Sequence, residues 1–323
     1  MHNFSSMRFS INRIQDNGLD LVMLKDEKTA TSVEILPALG AALHAFTVQS
    51  ADGPFNIIDN YNDLAQAKKE MRVSYKSARL SPFVCRIPEG KYFFDGKEWE
   101  FANKFSDGSV IHGLLYDKPF MITHKTADET KATASMYYDY KMDDEAYPYH
   151  YRCQVEYTLY ADNLLEVQTV ITNETGKAIP IADGWHPYFQ LGGAVDEWML
   201  FFDAEAIVEF NDKLIPTGNL LKYDLFKSLT RIGSRFFDNC FIVNIEKEKP
   251  ACELVNPGNK LKLSFFPDNS YPYLQVYTPP HRKSIAIENL SSAPDCFNNK
   301  MGLLMLAPAH SQTFTVRYRL SWT

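Results

Sequence analysis

The chain has 323 residues, 45% of them hydrophobic, enough for a large buried core, and its net charge of -7 comes without a basic block. That balance weighs against nucleic acid or an anionic membrane as the main partner. No apolar run approaches the ~18 residues of a membrane span. The five scattered cysteines include no Cys-x-x-Cys pair, so neither a zinc cage nor a disulfide framework is signalled.

From the N-terminus, Met1 to Asp20 is polar and lacks a secretory apolar stretch, so a reduced, cytoplasmic compartment is expected. Asn62 to Met71 is the one convincing helical pattern, short and peripheral. Tyr92 to Trp99 sets Asp95-Gly96 between aromatic arms, a hairpin signal. Cys153, Val155, Tyr157 and Leu159 then alternate with polar residues, as do Leu261, Leu263 and Phe265, and again Phe314, Val316, Tyr318, Leu320 and Trp322. Each run reads as a half-buried antiparallel strand. Asp162-Asn163, Asn173 to Gly176 and Asn256 to Asn259 mark reversals. With no fixed-period repeat and no low-complexity linker, one domain over residues 1–323 is expected: all-β, a large antiparallel β-sandwich with few short helices. Its 18 Tyr and 22 Phe suit pleated strands and also a cleft that stacks flat amphipathic ligands. Tyr147-Pro148-Tyr149 and Tyr271-Pro272-Tyr273 read as core or edge packing. Asp143-Asp144-Glu145 lacks the spaced ligands of a calcium loop and reads as solvated.

Chemistry concentrates in two places. Asp183 to Leu191 sets His186 between Trp185 and Pro187, and Ser284 to Glu288 closes an apolar run on a carboxylate. A neutral imidazole and a carboxyl tuned by burial both exchange protons near pH 7, so the two, brought face to face, are equipped for general acid–base chemistry. The blander reading makes His186 a core histidine bonded to a carbonyl and Glu288 a strand end facing water. Against it, Gly184, Pro187 and the flanking aromatics indicate a shaped turn, and an unpaired carboxylate is costly to bury. His2, His44, His124, His150, His281 and His310 lack a motif and read as structural or surface residues.

Further segments carry a resemblance. In order they are Ile35 to Ala41, Ser81 to Ile87 with Arg86, the Tyr92–Trp99 hairpin, Ile111-His112-Gly113, Trp185 to Phe189, Phe237 to Phe241 with Asp238, and Ile285 to Glu288. Together they resemble the aldose 1-epimerases (mutarotases) of the galactose mutarotase-like fold. The resemblance implies a broad open cleft, with Glu288 as general base on an anomeric hydroxyl and His186 as acid on the ring oxygen. Arg86, His112 and Asp238 would bind sugar hydroxyls, although each could instead be a surface, loop or turn residue. A sugar is the implied small-molecule partner, with no cofactor and no metal; monomer and homodimer both stay open. For His186 to act as an acid its pKa must not fall far, and Asp238 or Glu288 is expected to hold it up. The rivals are a hexose-6-phosphate 1-epimerase, for which Lys118, Arg282 and Lys283 are the candidate cations, a non-catalytic carbohydrate-binding module, and a glycoside hydrolase or lyase pairing Glu288 with Asp238.

Overall fold

Antiparallel ladders organise the computed structural model, which describes residues 7–323. A five-stranded sheet comes first, in chain order from Phe9–Asp16 to Gly53–Asn56. A nine-stranded sheet has Lys131–Lys141, His150–Tyr160, Leu164–Asn173, Ser311–Trp322 and Leu261–Pro267 as successive neighbours. An eight-stranded sheet runs Pro216–Lys222, Ala204–Phe210, Asp238–Val243, Tyr273–Tyr277, Ile285–Leu290, Gly184–His186 and Ala78–Leu80, with Tyr188–Phe189 also paired to Ile285–Leu290.

The last two sheets face each other through aromatic side chains. Trp185 meets Tyr157 at 5.9 Å between ring centroids, Phe189 meets Phe265 at 5.1 Å, and Tyr271 stacks on Phe314 at 5.6 Å. One continuous apolar cluster extends from Phe9 to Leu320. This is the expected sandwich, and the tyrosines of both Tyr-Pro-Tyr segments lie in its core.

Period-two patterns explain the burial. In Ser311–Trp322 the side chains of Phe314, Val316, Tyr318 and Leu320 all point inward. Trp322 keeps the phase but is exposed, because the ladder ends there against Leu261. Lys91–Phe94 and Lys97–Glu100 form the expected hairpin, with Asp95 and Gly96 both at positive φ, as a primed two-residue turn requires.

The helix spans Leu64–Ser74, later at both ends than the expected Asn62–Met71. Capping accounts for the shift. The Asp63 carboxylate accepts from the Gln66 amide at 2.7 Å while the Gln66 side chain reaches back to the Asn62 amide, and Tyr75, in the left-handed region, closes the last turn on the Met71 carbonyl.

Candidate active site

Strand alternation and register together build the site. Gly184 pairs with Leu290 and Tyr188 with Ala286, so His186 lies directly opposite Glu288 between those two rungs. Pro187 lacks an N–H and leaves the ladder open at this point. Trp185 and Ile287 turn into the sandwich, so their neighbours His186 and Glu288 project from the other face. Glu288 in turn sits opposite Gln275, and Gln275 opposite Cys240. Two residues along, Tyr188, Ala286, Tyr277 and Asp238 form the parallel row. Gly184 allows a close approach at its rung, where a Cβ would press on Leu290 Cδ2 and the Asn289 carbonyl.

A second set of residues folds over this face. Arg86 pairs with Ile111, and the chain then turns through His112 and Gly113, both at positive φ. A Cβ on Gly113 would collide with the Ser81 backbone, which gives the His-Gly dipeptide a steric reason. The turn sets the His112 ring edge-on to His186 at 4.8 Å and against Tyr75 at 4.6 Å. Arg86 donates to Asp107 at 2.5 Å and to Ser109 at 2.7 Å. Asp238 accepts from Gln275 Nε2 at 2.9 Å.

All five residues singled out from the sequence, Arg86, His112, His186, Asp238 and Glu288, therefore line one cleft of about 250 Å³. His186 Nε2 lies 3.3 Å from Glu288 Oε1. His112 Nδ1, His186 Nδ1, Gln275 Oε1 and Glu288 Oε2 have no hydrogen-bond partner among the described residues. Four such atoms in one place are expensive unless a ligand satisfies them, at about 1–3 kcal/mol each. His112, His186 and Glu288 also bring ligand atoms within 4.8 Å of one another, a donor set that could seat a divalent ion.

Burial dominates the electrostatics. It pushes the His186 imidazole down to about 4. It lifts Glu288 well above the ordinary carboxyl range, with the charge of Asp238 adding to the effect. His112 is held well below its usual value by burial, then by His186 and Arg86. Asp238 is raised by burial, which outweighs the opposing pull of Arg86 and the Gln275 bond. The expectation that a carboxylate would hold up His186 is therefore not met. Glu288 is close enough to do so as an anion, but burial favours its neutral form as it favours the neutral imidazole, so the shifts point to a neutral acid beside a neutral base.

Sequence reasoning passed over Tyr75, Tyr188, Gln275 and Tyr277, which also line the cleft. For Gln275 and Tyr277 the signal was available, since both alternate outward in the strand next to Glu288. Tyr75 depends on where the helix stops, which composition does not reveal. The candidate phosphate cations lie outside the cleft lining. Lys118 is 3.5 Å from Asp143, Arg282 binds Asp196 and two carbonyls, and Lys283 is exposed.

Known proteins resemble this chain in sequence and in fold. The family model described as aldose 1-epimerase matches residues 20–319. The uncharacterized protein YihR of Escherichia coli strain K12 is 28% identical over 245 residues, covering 74% of this chain and 77% of that protein. A galactose mutarotase-like protein from Clostridium acetobutylicum superposes with a TM-score of 0.85 at 16% identity, covering 98% of this chain and 99% of the other. Galactose 1-epimerase from Lactobacillus acidophilus NCFM gives a TM-score of 0.80 at 19% identity, with coverage of 98% and 99%. With its family model spanning nearly the whole length, the chain belongs to the aldose 1-epimerase family.

Proposed function

We propose that this protein interconverts the α and β anomers of a free, uncharged hexose by acid–base ring opening and re-closure. One observation carries the reading: His186 and Glu288 sit 3.3 Å apart in the cleft, each with a further polar atom unpartnered. Mutarotation needs one proton to leave the anomeric hydroxyl while another reaches the ring oxygen. The pair holds one proton between two groups, which is the stock this exchange consumes and restores. A hydroxyl donating to Glu288 favours its ionised form, and a ring oxygen accepting from His186 favours the imidazolium. Sugar binding thus moves the proton toward His186, giving Glu288 the role of base and His186 that of acid. The ring opens to the aldehyde, the carbonyl rotates, and re-closure exchanges the roles. Arg86, His112, Asp238 and Gln275 offer donors and acceptors for the remaining hydroxyls.

Polarimetry on freshly dissolved α-glucose and α-galactose tests this. Glu288→Gln and His186→Asn are each expected to lower kcat by roughly 10²–10⁴-fold while leaving the fold intact. Sugar binding without any faster decay of optical rotation would favour the non-catalytic module. Release of monosaccharides from a disaccharide would favour the hydrolase.

A further inference from the structure

We infer that the cleft is also a binding site for zinc or a kindred transition-metal ion, held by His112, His186 and Glu288, and that the bound ion shuts the reaction off. Only the shut-off rests on the mutarotase reading; the metal site stands on its own geometry. One ligand atom from each of the three side chains lies within 4.8 Å of the other two. His186 Nε2 and Glu288 Oε1 are already 3.3 Å apart. Two donors that each stand about 2.1 Å from a tetrahedral ion are about 3.4 Å from one another, so this pair has the spacing an ion requires. His112 must close by roughly 1.5 Å, a modest rotation of a ring that the turn at positive φ holds over the cleft.

Donor chemistry selects the ion. Two imidazoles and one carboxylate make the three-ligand set of open zinc sites, whereas magnesium and calcium favour oxygen donors throughout. Little has to be given up to bind. Glu288 Oε2 has no hydrogen-bond partner among the described residues, and it is free to join Oε1 on the metal. The same lack of partners limits the affinity. A zinc-bound histidine ordinarily donates its other ring N–H to a carbonyl or carboxylate, a support worth about 10–100-fold, and His186 Nδ1 has none. The ion is therefore a reversible visitor rather than a resident cofactor, with a Kd of roughly 1–100 µM. Coordination occupies the His186 lone pair and the Glu288 carboxylate, the two groups that the proton exchange uses, so metal and sugar exclude each other.

The test uses tag-free protein dialysed against a chelator, with zinc binding read by calorimetry and cobalt coordination by its visible absorption bands. One zinc per chain is expected, and magnesium is expected not to bind. His112→Ala and Glu288→Gln should each weaken zinc binding by at least about tenfold. Cys85→Ser, at the one cysteine lining the cleft among the described residues, should leave it unchanged. Saturating glucose should weaken zinc binding in the wild type, and zinc should inhibit mutarotation competitively with glucose. No binding up to about 1 mM zinc, binding unchanged in both His112→Ala and Glu288→Gln, or binding lost in Cys85→Ser would overturn the site. Zinc that binds without displacing glucose from an active enzyme would overturn it as well. A protein that binds zinc through these three residues but does not speed mutarotation would overturn the mutarotase reading and leave the metal site standing.

Discussion

At the scale of single residues, the proton shared by His186 and Glu288 has consequences for rate and for stability. With His186 near 4 and Glu288 well above its usual value, the pair keeps one proton through the neutral range. The rate is therefore expected to fall on the acid side, around pH 4, as His186 takes a second proton, and on the alkaline side as Glu288 loses its own; a rate undiminished down to about pH 3 in the folded enzyme would contradict this. Stability follows from the same shifts. A carboxyl whose folded pKa is raised favours folding fully only below its unfolded value, and the contribution is lost as pH climbs toward the folded value. Glu288→Gln removes that loss. It should remove most of the activity yet raise the melting temperature, with a gain that grows from pH 5 to pH 8 by up to about 1.4 kcal/mol per pH unit. Calorimetry at pH 5, 6.5 and 8 checks the sign, and a stability difference that stays constant or shrinks would mean that Glu288 is already ionised in the folded protein.

At the scale of elements, the strand carrying His186 is fastened from behind. Arg79, opposite Trp185, forms a fully buried ion pair with Asp183 and lies 4.3 Å over the Trp185 ring. Asp183 also accepts from the Tyr271 hydroxyl at 2.6 Å, and its amide donates to Ser291 Oγ at 2.9 Å. Burial raises the Asp183 pKa against the pull of Arg79, so the pair is costly to desolvate but costlier to break. Asp183→Ala, which strands the Arg79 charge, is expected to destabilise by about 3–5 kcal/mol in urea titration, and Arg79→Met/Asp183→Leu by far less than the summed single changes. Additive losses would mean that the two side chains act separately. This bracing was not legible in the sequence, because Arg79 and Asp183 are 104 residues apart and nothing local marks them as partners. The strands themselves were legible wherever one face is buried, as in His150–Tyr160 and Ser311–Trp322, since alternation records a single core face. His186 and Glu288 were legible because Gly184, Pro187 and an apolar run frame them. Register was the missing quantity: it alone sets Gln275 beside Glu288 and Tyr277 beside Tyr188.

For the whole molecule, charge bears on which sugars reach the cleft. The chain carries a net charge of -7, and Asp238 lines the cleft beside Glu288, whose neutral form burial favours, with Arg86 already bound to Asp107 and Ser109. A phosphorylated hexose would bring two negative charges toward that field with no free Lys or Arg side chain among the described residues of the cleft lining to receive them, and a phosphate left unpaired in a partly buried site is strongly disfavoured. Glucose 6-phosphate is therefore expected to be turned over at least about tenfold less efficiently than glucose in kcat/KM, the difference that 1.4 kcal/mol of missing ion pairing would make. Ionic strength separates charge from shape as the cause. Added salt screens repulsion between an anion and an acidic surface, so raising NaCl should increase kcat/KM for glucose 6-phosphate while leaving that for glucose unchanged. A preference for the phosphate, or a rate on it that falls with salt, would show that cations such as Lys118, Arg282 or Lys283 reach the bound sugar after all, and the choice of a neutral hexose would have to be abandoned.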